Sequence, residues 1–239
     1  MPIAFASVII PTFNEGDNIG SLLTDLNQGL DRSGIGHEII IVDDDSPDET
    51  VAIVSQLSEA DQRIKLISRK GKRGIGSAIF EGFTESEGKV IVTMDADFSH
   101  PPESVIKLIE AVNKCDVAVG SRYISGGEMN GPLVRRVLSR MLNTVLVLIL
   151  GLNIHDCTGG FIALGRDVFN SIDTITGKSG DFSFEIIYKA KKAGFKIIEV
   201  PFIYRWRTKG KTKTNVLKFG FEYLRSAINL RLSPYKQIT

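Results

Sequence analysis

The chain has 239 residues, 43% of them apolar and 24% charged, and a formal net charge of +1. That suffices for one large domain with a sizeable core and excludes a disordered chain, while the near-neutral total gives no bulk field for nucleic acid. Two cysteines and three histidines exclude a disulfide scaffold, a Cys-rich zinc site and a His-rich metal cage.

Strand and helix signals alternate through the first half. Residues 4–10 (AFASVII) read as a strand ending at Pro11, and 18–30 as a helix with Ile19, Leu22, Leu23 and Leu26 on one face. Residues 38–42 (EIIIV) read as a buried strand that ends in Asp43-Asp44-Asp45. A helix over 49–57 follows the Ser46-Pro47-Asp48 turn. A short strand over 65–68 precedes a helix over 75–86. The strand 90–94 ends in Asp95-Ala96-Asp97, the helix 101–113 carries Pro102 in its first turn, and the strand 117–120 ends in Ser121-Arg122-Tyr123.

The second half is less regular. Residues 131–152 read as a long helix with a basic start (Arg135, Arg136, Arg140) and an apolar end. Residues 156–164 read as a turn entering a strand, and 182–193 as a helix. Residues 196–204 read as a strand with Pro201 inside it, hence at an edge, and 214–232 as a helix. The longest apolar stretch, 141–154, is broken by Asn143, Thr144, Gly151 and Asn153, and a spanning helix needs about 20 apolar residues. No basic and apolar leader is visible, so the expectation is a soluble cytoplasmic chain. The neutral total hides a split: twelve acidic and three basic residues over 1–66, against nine basic and one acidic over 201–239.

This alternation predicts an α/β fold with a mainly parallel central sheet and helices on both faces, organised as a single domain over 1–239. Ligands of such sheets bind beyond the carboxyl ends of the strands, where Asn14-Glu15, the 43–45 acids, Asp95/Asp97 and Arg122 all fall. Asp95 and Asp97, two apart in extended chain, point the same way, and hard carboxylate oxygens suit Mg²⁺ or Mn²⁺. A solvated turn with two capping acids is the structural alternative. One of the 43–45 acids can accept hydrogen bonds from a base or ribose, with Ser46 or Asp48 capping the next helix. Lys72-Arg73-Gly74-Ile75-Gly76-Ser77-Ala78 lacks both the Gly-Lys-Ser/Thr of a P-loop and the third glycine of a dinucleotide fingerprint. It reads as a helix start with close backbone approach. The alternating basics Arg205, Arg207, Lys209, Lys211 and Lys213 suit a phosphate clamp, or else a solvated loop. His37, His100 and His155 have no partners at ligand spacing and read as surface or capping residues.

Taken in order, Pro11–Glu15, 42–48, 74–78, 95–101, 120–123, 156–161, 199–201 and 207–213 resemble the family-2 glycosyltransferases and, within them, the dolichol-phosphate mannose synthases. The resemblance covers nearly the whole chain. It implies a GT-A fold with a nucleotide-binding half (1–123) and an acceptor and membrane-facing half (124–239). It implies a sugar-nucleotide donor, a polyprenyl-phosphate acceptor and a divalent cation, Mg²⁺ or Mn²⁺. By motif position, Pro11, Phe13, Glu15, Val42 and Asp44 hold the nucleoside, and Asp95, Ala96 and Asp97 lie at the metal and diphosphate, with Ser99 beside them in the metal site. Arg122, Arg207 and Lys213 bind phosphate groups, and Asp97, Arg122, Arg207 and Lys213 carry the catalysis. The implied reaction is a metal-dependent, inverting transfer of a hexose, mannose from GDP-mannose first. UDP-glucose-dependent transfer to the same lipid, or transfer to a soluble acceptor, are the alternatives. The lipid acceptor implies a peripheral place on the cytoplasmic face of a membrane, with room for an integral membrane subunit and no role for nucleic acid. Phe13 stands where the family has Tyr, and Gly159-Gly160-Phe161 where it has Ser-Gly-Phe.

Overall fold

The computed structural model describes residues 5–71, 73–172, 175–177, 179–206 and 216–233, with the side chains of 216–219 left aside. In chain order the elements are β1 (Ala6–Thr12), α1 (Gly16–Arg32), β2 (His37–Asp43), α2 (Thr50–Ala60), β3 (Ile64–Ser68), α3 (Ile75–Glu85), β4 (Val90–Thr93), α4 (Pro102–Val112) and β5 (Val117–Ser121). There follow β6 (Glu128–Met129), α5 (Leu133–Leu150), β7 (Ile162–Gly165), α6 (Arg166–Ser171), α7 (Phe182–Lys192), β8 (Ile197–Pro201), β9 (Ile203–Tyr204) and α8 (Val216–Leu232).

Seven strands form one sheet in the order β3-β2-β1-β4-β7-β5-β8. All neighbours pair in parallel except β7, which runs antiparallel to both β4 and β5. The two-residue side-chain period sorts the strand residues between two cores. Val8, Ile10, Ile39 and Ile41 face α1, α2 and α4, where they meet Leu22, Leu26, Val54 and Leu108. Ile9, Ile40 and Val42 face the other way, towards Ile79 and Phe83 of α3, and Leu146, Phe184 and Ile187 complete that core. Ile19, Leu22, Leu23, Leu26 and Leu30 of α1 are all fully buried. Their three- and four-residue spacing gives the amphipathic face expected from the sequence, each side chain contributing about 1.5–3 kcal/mol when removed from water.

The structure departs from the sequence reading in the second half. The predicted strand over 196–204 divides: β8 ends at Pro201 on the edge of the main sheet, as expected of a residue without an N–H. The Phe202 amide then donates to Ser121 O, and β9 pairs with β6 in a separate two-stranded ribbon. Neither β6 nor α6 was read from the sequence, being two and six residues long. The strand after the 156–161 turn is inserted between two strands of the first half, so the two halves share one sheet. No described helix is long and apolar enough to cross a membrane.

Candidate active site

The loops after β1, β2 and β4 converge on a cleft of about 260 Å³. Pro11, Thr12, Phe13, Glu15, Asp44, Ile75, Asp95, Ala96 and Asp97 line it. Each of the three loops places one non-glycine residue in the left-handed region: Asn14 (φ 57°), Asp45 (φ 60°) and Phe98 (φ 61°). This costs conformational energy, and such strain collects at binding loops. Side-chain staples hold it. Asp43 accepts from Thr12 Oγ1 (2.8 Å), Ser46 N (2.8 Å) and Ser46 Oγ (2.6 Å), and Ser46 Oγ accepts from Asn14 N (2.9 Å). Asp48 accepts from Gly16 N (3.0 Å) and Thr50 N (3.1 Å), tying the starts of α1 and α2. Burial alone would raise the Asp48 pKa; the hydrogen bonds from Thr50 and Gly16 outweigh it and hold the carboxyl below its ordinary value.

Of the three consecutive acids, then, Asp43 fastens the two loops together and Asp44 faces the cleft. Val42 does not line the cleft. Its side chain is fully buried in the core with Ile9 and Ile40.

The Asp95–His100 loop supplies hard oxygens. Asp95 exposes 40% of its side chain, whereas Asp97 is nearly buried and accepts from Ser99 N at 3.0 Å. The Ser99 hydroxyl is fully buried and has no hydrogen-bond partner among the described residues. Two carboxylates and one uncommitted hydroxyl fit Mg²⁺ or Mn²⁺, which retain water and take further oxygens from substrate phosphates. Among the described residues no three His, Cys, Asp or Glu side chains cluster as a metal cage, so the substrate would complete the coordination.

His100 corrects the sequence reading. It is wholly buried, stacked on Phe161 at 4.5 Å and 10°. Its Nδ1 accepts from the Asp95 amide at 2.9 Å, which assigns the ring proton to Nε2. Burial, partly offset by Asp97, lowers its pKa to about 4, so it is a neutral prop behind the acidic loop. His37 is also buried, bonded to Asn27 and Ile35 O. Only His155 is exposed, and it pairs with Glu199 at 2.8 Å.

Arg122 lies apart from the cleft. It lines a second cavity of about 520 Å³ between α5 and α8, with Leu138, Leu142, Val145, Phe221 and Leu224 among its apolar walls and Arg135 and Thr158 among its polar ones. Its guanidinium is buried and grips Asp156 through Nε (2.7 Å) and Nη2 (2.8 Å), and Nη2 also reaches Thr158 Oγ1 (2.8 Å). Burial would lower its pKa; the Asp156 carboxylate more than offsets this and raises it above the usual arginine value. Asp156 is in turn set by Glu199, which accepts from the His155 and Asp156 amides. The sequence marked these motifs without giving Asp156 or Glu199 a task.

The start of the basic run contacts both the Asp95–His100 loop and α5. Arg205 N donates to Ser99 O (3.2 Å), and the Arg135 guanidinium lies over the Trp206 ring at 4.7 Å. Arg207 and Lys213 themselves lie outside the described residues.

A family model described as Glycosyl transferase family 2 matches residues 7–173. Three curated relatives align along most of the chain. The dolichol-phosphate mannosyltransferase of Pyrococcus furiosus is 39% identical over 94% of this chain, which spans 63% of the length of that relative. The polyprenol monophosphomannose synthase of Mycolicibacterium smegmatis is 36% identical, covering 94% of this chain and 88% of the relative. The undecaprenyl-phosphate mannosyltransferase of Micrococcus luteus is 34% identical, covering 86% and 85%. Among solved structures, glucosyl-3-phosphoglycerate synthase from Mycobacterium tuberculosis with Mn²⁺, UDP and glucosyl-3-phosphoglycerate superposes with a TM-score of 0.74 over 97% of this chain and 81% of that one, at 18% identity. The same enzyme with Mg²⁺ and UDP gives 0.72 over 97% and 81%, also at 18% identity. These neighbours establish the GT-A type of fold, and the sequence matches establish the lineage: the chain belongs to glycosyl transferase family 2 and is a glycosyltransferase.

Proposed function

We propose that this chain transfers mannose from GDP-mannose to a polyprenyl monophosphate, with inversion at the anomeric carbon. The observation that carries the reading is the pairing of two unlike cavities. One is an acid-lined cleft at the strand ends; the other is an apolar groove containing a buried, fixed guanidinium. An apolar acceptor with an anionic head suits the second, whose lining adds Arg135 to apolar walls, and all three curated relatives are named for mannosyl transfer to polyprenyl phosphates.

The chemistry agrees. A phosphate monoester has its second pKa near about 6, so the attacking oxygen is already anionic and needs no strong general base. His100, buried with its Nδ1 committed to Asp95, is not available as one. The task of the chain is to bring two anions together. Asp95, Asp97 and Ser99 would hold a divalent cation, which when bound absorbs charge on the departing nucleotide. Pro11, Phe13, Glu15 and Asp44 hold the nucleoside, Ala96 lets the diphosphate approach, and Arg122 sits on the acceptor side. Arg207 and Lys213 supply the phosphate clamp. The 1–123 half serves the donor and the 124–239 half the acceptor, and the protein works peripherally on the cytoplasmic face of a membrane.

The test is transfer of labelled mannose to an extractable lipid. Wild type should be active with Mg²⁺ or Mn²⁺ and silent in excess chelator. Asp97→Asn should be folded and inactive. Arg207→Ala and Lys213→Ala should each lose about ten- to a hundred-fold in kcat/KM, as for a charge-assisted hydrogen bond, while Lys209→Ala and Lys211→Ala lose much less. Full turnover in chelator would refute the metal, and equal losses in all four basic variants would refute the clamp.

A further inference from the structure

The side chain that fixes Asp44 comes from outside the cleft. Arg69, the first residue beyond β3, is 3% exposed and lines a separate cavity with Ser77 and Phe80. Its Nε donates to Asp44 Oδ1 at 2.7 Å. Ser77 Oγ accepts from both terminal nitrogens (3.1 and 3.0 Å), and the Gly74 carbonyl from Nη2 (3.4 Å); Glu81 Oε2 stands 3.4 Å from Nη1. The other Asp44 oxygen, Oδ2, accepts from the Gly74 amide at 2.8 Å. Gly74 has φ 141° and ψ 120°, a conformation that favours glycine, so the turn that aims this amide depends on it. The main chain is pinned too: Asp44 N donates to Thr12 O (3.0 Å) and Arg69 N to Asp43 O (2.8 Å).

Among the described residues each carboxylate oxygen of Asp44 thus has one protein donor and keeps lone-pair capacity. The carboxylate is held in one orientation beside a permanent cation at the wall of the cleft. Its complement is a ligand edge with two adjacent donors. Within a nucleotide, that edge is the N1–H and N2–H₂ side of guanine or the cis-diol of ribose. Uracil offers one N–H between two carbonyl oxygens, so it can satisfy only one of the two carboxylate oxygens.

We propose that Arg69 is a positioning residue for donor recognition, orienting Asp44 as a two-point acceptor for a paired-donor edge of the nucleoside. This rests on the reading of the cleft as a sugar-nucleotide site. A residue acting through Asp44 must lose its effect when Asp44 can no longer play that part, which a double-mutant cycle detects.

The experiment is calorimetric titration of GDP, inosine diphosphate, 2′-deoxy-GDP and UDP into wild type, Arg69→Lys, Asp44→Asn and the double variant, with steady-state kinetics alongside. Arg69→Lys should bind GDP about ten- to a hundred-fold more weakly, the range expected for a lost hydrogen bond between charged groups. The donor KM should rise by the same factor, the acceptor KM should stay put, and kcat should move far less. In the Asp44→Asn background the same change should make less than a threefold difference. Loss of the GDP preference over inosine diphosphate in Arg69→Lys assigns the base edge; loss of the preference over 2′-deoxy-GDP assigns the ribose. Ser77→Ala, which removes only the hydroxyl bracing the guanidinium, should weaken GDP in the same direction and serves if Arg69→Lys does not fold. Additive losses in the cycle, or unchanged GDP affinity in Arg69→Lys and Ser77→Ala, would overturn the role of Arg69. Wild type that binds none of the four nucleotides would instead overturn the sugar-nucleotide reading.

Discussion

Neighbouring acids in this chain have different work, and contacts far along the sequence decide which. Asp43, Asp44 and Asp45 are indistinguishable as letters. In the fold Asp43 staples two loops, Asp44 faces the cleft, and Asp45 takes a left-handed backbone and is exposed. Glu38 is an acid of the structural kind, far from the cleft on the buried end of β2. Its Oε1 accepts from Ser7 Oγ (2.5 Å) and Glu87 N (2.7 Å), and Oε2 meets Lys65 Nζ at 2.7 Å. Burial opposes ionisation, but Lys65, Ser7 and Glu87 together lower its pKa below the ordinary glutamate value of 4.5. Because the folded pKa is below the unfolded one, the stabilisation is complete above about pH 4.5 and is lost as pH falls through the folded value. Glu38→Gln should therefore cost about 1–3 kcal/mol in urea denaturation at pH 7, and clearly less at pH 3. An equal cost at both pH values would show that its charge is immaterial.

Helix α5 shows how one element serves two environments. Asn143, Leu146 and Leu150 are buried against the core, yet Leu133, Val134, Met141 and Leu148 expose 61–73% of their surface. Arg135, Arg136 and Arg140 lie among them. An apolar face of this size interleaved with arginines is suited to the headgroup region of an anionic membrane. Under the proposed peripheral membrane role this favours α5 as the interfacial helix; Phe221, Ile228 and Leu232 of α8 are further exposed apolar residues. Two inserted side chains contribute a few kcal/mol between them, at about 1.5–3 kcal/mol each when fully buried. A Val134→Asp/Met141→Asp variant should lose at least about tenfold in cosedimentation with anionic vesicles and still bind nucleotide. Undiminished cosedimentation would move the membrane contact to α8 or the basic segment. The basic start and apolar end of 131–152 were legible in the sequence. The fraction of the helix left uncovered was not, because that depends on which neighbours pack there.

Across the whole molecule, one sheet carries both proposed substrate sides. The proposed donor cleft lies at the ends of β1, β2 and β4, and Arg122 lies just past β5, two strands from β4 in the sheet. Binding of the right donor should stabilise this shared sheet as a unit. A ligand at 100 times its Kd adds about 2.7 kcal/mol, which for a domain of this size raises Tm by roughly 5–10 °C. GDP-mannose with Mg²⁺ should give such a shift, and UDP-glucose and UDP-N-acetylglucosamine a much smaller one. A UDP-glucose shift as large as that of GDP-mannose would turn the donor assignment towards the glucosyl alternative.

The sequence by itself determined the alternation of strands and helices, the placing of polar motifs at strand ends, and the family. These are properties of local periodicity and of ordered short motifs. Tertiary structure alone decided that β7 enters antiparallel between β4 and β5, that 196–204 breaks into two sheets at Pro201, and that Arg122 is clasped by Asp156 beside the apolar groove. It alone brought Arg69 to Asp44, 25 positions away, and sank His100 behind Asp95. A buried charge is tolerable only beside its partner. Which residue that partner is depends on which strands become neighbours, and long-range pairing leaves no period in the sequence to read.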